Sequence, residues 1–515
     1  METSLFRAFS SLLSLLLAIH IIPLAASTPS YLSFLQCLSK HSDPSDHILS
    51  RVYTPNNSSY DSVLQHYIRN KWFNRSTTPK PDTIFTPLQE SHVQVAVICC
   101  RKTGKYLKIR SGGHDYEGIS YVSNISKMKL LGSKLVQFWA NFITEFGRSK
   151  IHAFPAGVCP TVGVGGHITG GGYGNLLRKY GLSVDNLIDV HIVDVHGRIL
   201  NRESMGEDLF WAIEGGGGAS FGVISAYKIR LVKVPDVVTV FRVVRSLEEN
   251  AIDIVYRWQF IADKIDNNLF IRLTLKPIDD KQKGTKTIEA SSVALFLGEF
   301  RKLLLVLDRD FPRLGIHIED CREMSWIESE LFWANFRNGT QPDALLNRMP
   351  GGKFLKRKSD YLQKPIRKDK LKYIFDKMIE LGDTELVFNA YGGRMNEIPE
   401  WETPFPHRAG NIFKIQYAAN WEEEGKEAEN FYLNQTRVLY NYMTPFVSKS
   451  PRCAFLNYRD LDIGVSHNEN NRYIEGRVYG LKYFKDNFNK LVKIKTLVDP
   501  DNFFWNERSI PPLAA

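Results

Sequence analysis

Two common nucleotide-binding signatures are missing from this 515-residue chain. No glycine cluster satisfies Gly-x-Gly-x-x-Gly, since Gly163 and Gly165 are followed by Ile168, and no Gly-x-x-x-x-Gly-Lys-Ser/Thr segment occurs. A Rossmann site and a P-loop are disfavoured, because both need glycines in fixed register where backbone meets phosphate. The six cysteines, Cys37, Cys99, Cys100, Cys159, Cys321 and Cys453, include no Cys-x-x-Cys pair. They are too few for a disulfide scaffold and lack zinc spacing, so no metal is assigned. No apolar run after the first 27 residues suits a membrane span, and no internal repeat or long low-complexity segment is present.

Hydrophobic residues at 43% and charged residues at 24% are ordinary globular values, and the length predicts two domains. Residues 1–27 combine Arg7, an apolar run from Leu12 to Ile22 and the small trio Ala25-Ala26-Ser27, the pattern of a secretory signal peptide. Sequons at Asn56, Asn57, Asn74, Asn124, Asn338 and Asn434 fit an exported glycoprotein. One disulfide is expected, joining Cys37 to Cys99 or to the adjacent Cys100, with Cys99 the assignment; Cys321 and Cys453 read as free thiols. The net charge of +10 suggests attraction to polyanions such as acidic cell-wall polysaccharide. Nucleic-acid binding is not expected, because the dense basic stretch, Lys353 to Lys370, reads as a solvated surface. Glu422-Glu423-Glu424 likewise reads as a solvated turn.

Two glycine-rich segments carry the strongest signal: Ser111-Gly112-Gly113-His114-Asp115-Tyr116-Glu117-Gly118, and Gly157-Val158-Cys159-Pro160-Thr161-Val162-Gly163-Val164-Gly165-Gly166-His167. Glycine lets backbone approach a pyrophosphate and supplies positive φ, so paired loops suit a large dinucleotide, and His114 and Cys159 are candidate tethers for a flavin. A single such loop would read only as a turn. Periodicity predicts a helix over Glu90–Thr103, strands over Tyr106–Ile109 and Leu187–Val195, and a short helix over Ser204–Ile213. Alternation recurs over Val237–Val244 and Leu269–Leu275, so an α+β nucleotide domain gives way near residue 235 to a second domain with a larger antiparallel sheet.

The runs Arg110–Gly118, Phe154–His167, Gly170–Asn175 and Met205–Ile213 resemble those of the plant berberine bridge enzyme-like oxidases. Phe405–Asn411, Lys414–Tyr417, Asn457–Gly464 and Val498–Phe504 are similar to the family's substrate-domain and closing motifs. The resemblance implies a vanillyl-alcohol-oxidase-type (PCMH-type) α+β fold, with an FAD domain over 28–235, a substrate domain over 236–479 and a return to the FAD domain over 480–515. It implies FAD held through both His114 and Cys159, in a cradle of Arg110, Ser111, Gly112, Gly113, Val162, Gly163, Gly166, His167, Gly172, Gly174 and Asn175. His167 is read as a structural residue of that cradle rather than a base.

By motif position, Tyr116, Tyr173, Lys414, Gln416 and Tyr458 would be catalytic. An ammonium beside a phenol favours phenolate, so Lys414 is expected to activate Tyr458 or Tyr173 to take a substrate proton while Gln416 orients the substrate. Valine at position 162 implies reoxidation by O2, releasing H2O2. The function expected is a secreted, monomeric oxidase in the cell wall or apoplast. A monolignol-like allylic alcohol is the favoured substrate, and an oligosaccharide giving a lactone is the alternative. The chain departs from the family between Ser123 and His152, where only 28 residues lie. Two or three strands' worth of sequence is missing there, and a flavin-deficient binding relative is the reading that this gap supports.

Overall fold

The computed structural model describes residues 31–66, 68–122, 151–280, 284–347, 352–467 and 472–513. The leader expected over 1–27, the sequon at Asn124 and all but the last residue of the shortened segment at 124–151 lie outside these.

The first part of the chain forms helix α1 (Tyr31–His41), strands β1 (Val52–Tyr53) and β2 (Ile84–Phe85), helix α2 (Glu90–Lys102), strand β3 (His152–Ala153) and helix α3 (Val164–Thr169). Strands β4 (Leu187–Val193) and β5 (Ile199–Leu200), helix α4 (Arg202–Ile213), and strands β6 (Val223–Ile229) and β7 (Val232–Lys233) follow. β1 pairs with β2, β3 with β7, and β4 lies between β5 and β6. In α2, Val93, Ala96, Val97 and Cys100 recur at helical spacing and bury one stripe against Phe34 and Leu38 of α1 and Val193 and Val223 of the sheet. Cys37 is bonded to Cys99, pinning α1 onto α2, while Cys100, Cys159, Cys321 and Cys453 are free thiols.

The strand expected over Tyr106–Ile109 is not formed. No described strand runs beside it to complete a ladder, and side chains hold the segment instead. Lys108 Nζ donates to the Val122 carbonyl at 2.9 Å and pairs with Glu507 at 2.6 Å, and Arg110 donates to the carbonyls of Leu64 and Val63.

The second part contributes β8 (Val238–Ser246), α5 (Ala251–Ile261), β9 (Leu269–Asp280), β10 (Thr285–Phe296), β11 (Cys321–Met324), α6 (Trp326–Trp333), β12 (Phe354–Leu362), α7 (Lys368–Leu381), β13 (Glu385–Ala390), β14 (Phe413–Trp421) and α8 (Lys426–Tyr442). Its strands form one antiparallel sheet of order β11-β8-β10-β9-β13-β14-β12. Successive strand residues point to opposite faces, and β14 shows the consequence. Phe413, Ile415 and Tyr417 enter the core built with Trp258 of α5, Phe375 of α7 and Leu439 of α8, which leaves Lys414 and Gln416 on the opposite face. Helices α9 (Arg472–Phe484) and α10 (Asn487–Val498) end the chain. They bind back to the first part, with Lys495 Nζ held by Asp499 and the Ser220 carbonyl and the Ile510 N–H held by Ser220 Oγ. The architecture is α+β.

The basic stretch corrects its expected reading. Lys353, Lys364, Arg367, Lys368 and Lys370 are exposed, but Lys356 and Lys358 are 5% and 1% exposed. Strand alternation within β12 turns these two inward, toward carboxylates described below. Glu422, Glu423 and Glu424 are exposed, and so are the sequon asparagines Asn56, Asn57, Asn74, Asn338 and Asn434.

The Cys37–Cys99 bond closes a loop over a separation of 62 residues, for which chain entropy gives about 4 kcal/mol of stabilisation. Replacing both cysteines by alanine is expected to lower the free energy of unfolding by about 2–4 kcal/mol, read as an earlier denaturation midpoint, and an unchanged midpoint would refute the assignment of this clamp.

Candidate active site

The two glycine-rich segments meet face to face. A Cβ placed on Gly112 would lie 2.2 Å from the Gly163 nitrogen, and one on Gly163 would lie 2.1 Å from the Gly112 nitrogen, so only glycine permits the contact. Beside this junction a cavity of about 610 Å³ is lined by residues 110–116, 162–167, 223–227 and 455–459, with Ser120 and Tyr173. Arg110, Ser111, Gly112, Gly113, His114, Tyr116, Val162, Gly163, Gly166, His167, Tyr173 and Tyr458 all stand on its wall. The volume falls within the range of cofactor and small-molecule sites.

Two observations fit a large polar guest. Among the described residues, Ser120 Oγ is buried in the wall without a hydrogen-bond partner, and a Cβ on Gly166 would meet nothing within 4 Å, leaving bare backbone turned to open space. Gly172, Gly174 and Asn175 stand behind the wall. A Cβ on Gly174 would lie 1.7 Å from the Ala156 carbonyl oxygen, and Asn175 donates to buried Glu330 of α6 at 3.3 Å, so they brace the lining. Burial pushes the Glu330 carboxyl up to about 7.

The tether candidates share a neighbour: His114 Nε2 lies 2.9 Å from Thr161 Oγ1, and the exposed Cys159 places its sulfur 3.6 Å from that oxygen. His167 is half-buried with its Nε2 out of solvent, and desolvation, with the Lys414 charge beside it, lowers its imidazole to about 3, so it stays neutral. Its carbonyl accepts from Asn457, fastening the second glycine segment to the closing loop.

Above the cavity the hydroxyls of Tyr173 and Tyr458 are in direct hydrogen-bond contact, and the Tyr116 ring lies 5.8 Å from that of Tyr458. Gln416 donates to the Tyr116 hydroxyl at 3.4 Å. Lys414 stands beside both phenols, over their ring faces. Its Nζ makes no hydrogen bond among the described residues and lies over ring faces, 3.1 Å from the centroid of Tyr173, 3.8 Å from Phe455 and 4.5 Å from Tyr458. Burial, and then the Arg272 charge, drives Lys414 well below the ordinary lysine range, while three ring quadrupoles attract the cation. Burial raises the Tyr458 phenol well above its ordinary value; neighbouring Tyr173 and Tyr116 add to this, and Arg272 opposes it.

Sequence reasoning missed Arg272 and Phe455. Arg272 lies on β9, donates to Asn389 of β13 at 2.8 Å and stacks 5.1 Å from the Trp333 ring. A cation in the middle of the apolar run Leu269–Leu275 was its available signal.

A buried charge cluster fixes both tyrosine-bearing segments. Lys356 pairs with Glu117 at 2.5 Å and with Asp460 at 2.8 Å; Lys358 pairs with Asp460 at 2.6 Å and Asp462 at 2.7 Å; Arg437 reaches Asp462 at 2.7 Å. Burial opposes the charge on Lys356, but Glu117, Asp460 and Asp462 outweigh it and hold the lysine above its ordinary range. For Asp462, burial is likewise outweighed, by Arg437, Lys356 and Lys358, and its carboxyl falls below the usual carboxylate range.

The chain as a whole is similar to several known proteins. Residues 454–511 match the family model described as Berberine and berberine like. Berberine bridge enzyme-like 21 of Arabidopsis thaliana is 51% identical over 519 residues, covering 95% of this chain and 94% of the relative. Tetrahydroberberine oxidase of Berberis wilsoniae is 48% identical, covering 100% and 99%. Among solved structures, the grass pollen allergen Phl p 4, with glucose dehydrogenase activity, superposes with a TM-score of 0.88 at 38% identity, covering 94% of this chain and 100% of that one.

Removing Lys358, whose side chain is 2% exposed, strands Asp460, 4% exposed, with less compensation. Lys358→Met is expected to cost about 3–5 kcal/mol, seen as a large fall in melting temperature. A shift of under about 2 °C would show that the cluster is not needed for stability.

Proposed function

This chain belongs to the berberine bridge enzyme-like family of FAD-linked oxidoreductases, and from that premise we propose that it oxidises an alcohol, with O2 taking the electrons and leaving as H2O2. The observation that carries this reading is the hydroxyl contact of Tyr173 with Tyr458, bracketed by Lys414 and by the Gln416–Tyr116 pair, on the wall of the His114 cavity. His114 and Cys159 would tether a flavin, and residues 110–113, Val162, Gly163 and Gly166 would cradle it; it would supply there a two-electron acceptor for hydride. The chain's own residues supply the rest. Tyr458 takes the substrate hydroxyl proton, Tyr173 shares its hydrogen bond, and the cations of Lys414 and Arg272 offset the negative charge that forms. Gln416 and Tyr116 hold the substrate oxygen.

A monolignol-like allylic alcohol is the favoured substrate, because a ring of phenols and a phenylalanine suits an aromatic guest. A second reading, oxidation of a sugar or oligosaccharide to a lactone, is supported by the glucose dehydrogenase activity of Phl p 4 and by a variant of it that is a glucose oxidase. We assign the flavin half to 28–235 with the return after 480, and the substrate half to 236–479. Export to the cell wall or apoplast as a monomeric glycoprotein, with affinity for acidic polysaccharide, completes the proposal. Among the described residues, no helix is long and apolar enough to cross a membrane.

Purified enzyme given coniferyl alcohol, cello-oligomers or galacturono-oligomers in a peroxide-coupled assay tests the substrate. Turnover of the oligomers with coniferyl alcohol untouched would select the second reading. Because burial keeps Tyr458 protonated, phenolate grows with pH, so kcat/KM for an uncharged alcohol is expected to rise about tenfold per pH unit on the acid limb. A profile flat from pH 6 to 9 would remove Tyr458 as the base. Tyr458→Phe should lower kcat by about 10²–10⁴ while flavin remains bound.

A further inference from the structure

Both tether candidates converge on one hydroxyl. Thr161 Oγ1 lies 2.9 Å from His114 Nε2 and 3.6 Å from Cys159 Sγ. The backbone builds this meeting. A turn closed by the Val162 N–H on the Cys159 carbonyl, at 3.2 Å, folds Thr161 back beside the cysteine. The Gly112–Gly163 junction brings in the first segment, since a Cβ on Gly112 would lie 3.1 Å from the Thr161 carbonyl oxygen. His114 follows Gly112 by two residues, so the close approach that demands glycine is also what sets the imidazole on the threonine.

A hydroxyl has one proton to give and lone pairs with which to accept. We propose that Thr161 is a positioning residue for covalent flavin attachment, acting on both nucleophiles through one oxygen. This rests on the two-tether reading above. The contact of this oxygen with His114 Nε2 at 2.9 Å holds the imidazole ring in one orientation. The same oxygen meets the Cys159 sulfur at 3.6 Å, which holds that side chain in one orientation beside the imidazole. Each attachment exchanges one C–H of the flavin and one N–H or S–H of the protein for one C–N or C–S bond. The two electrons and two protons released pass to O2, the oxidant of the proposed reaction, as H2O2. Valine at 161 would fill the same space but make neither polar contact, leaving both nucleophilic side chains free to turn away from the flavin.

The test compares the wild type with Thr161→Val and Thr161→Ser, each secreted as the full chain, precipitated in acid, digested and weighed by mass spectrometry. The peptide holding residue 114 and the peptide holding residue 159 are scored separately for attached flavin, and the melting temperature of each protein reports folding. The expected result is a fall of about tenfold or more in attachment at both positions in the valine variant, with serine restoring it. A fall of less than about tenfold at either position overturns the shared role. Should the valine variant not fold, Thr161→Ala, also lacking the hydroxyl, is held to the same criterion. A wild type carrying flavin at neither position overturns the two-tether reading and this inference with it. That outcome is distinct from a tethered wild type beside an equally tethered valine variant.

Discussion

The ion pairs of Lys356 and Lys358 with Asp460 are the constraint on which the site's geometry depends. Three segments distant in sequence meet there: the first glycine segment through Glu117, the sheet through β12, and the closing loop through Asp460 and Asp462. Tyr116 precedes Glu117 and Tyr458 lies two residues before Asp460, so the charges fix the backbone at each phenol. With Arg437 the cluster sets three cations against three carboxylates. Such neutrality matters because an ion taken out of water is tolerated only when its partners are complete, and breaking one pair exposes the full desolvation penalty of what remains. Hydrophobic packing could hold the same segments together, but it is not directional, whereas ammonium groups shared among carboxylates fix register as well as proximity.

That rigidity serves a site whose chemistry is set by dryness. The Tyr458 phenol is raised by burial, and the Lys414 ammonium is lowered by it while the ring faces around it favour the cation. Where a bonded lysine would draw Tyr458 toward phenolate at rest, a lysine over the ring faces leaves the phenol intact. The cations then act when negative charge develops, in a low-dielectric space where each charge counts for more. Arg272 is the second such cation, held at a distance by Asn389 and Trp333. The arrangement favours stabilisation of a forming anion over permanent ionisation of the base.

Much of this was legible in the sequence because it is local. The glycine segments, the helix beginning at Glu90 and the strands near 187, 238 and 269 follow from spacing and periodicity within a few residues. The Lys353–Lys370 stretch misled, because charge density along the chain says nothing about the two carboxylates that meet Lys356 and Lys358 from about a hundred residues further on. Tyr106–Ile109 misled for the opposite reason: the residues suit a strand, but a strand needs a neighbour, and neighbours are chosen by tertiary structure. The ring-face placement of Lys414 was out of reach, since Phe455 and Tyr173 become its neighbours only when the closing loop folds over β14. Resemblance to the family named the residues; it did not give their orientation.

The alignment with the Arabidopsis relative runs over 519 positions while using 95% of this chain, so the relative carries residues absent here. Several contacts of the site join described residues directly. Gly112 meets Gly163 directly, Asn457 meets the His167 carbonyl, Lys356 meets Glu117 and Asp460, and Tyr173 meets Tyr458. Every one of these contacts joins residues at or before 122 or after 150. Among the described residues, then, the parts that bind, position and take a proton brace one another by direct contact across segments far apart in sequence.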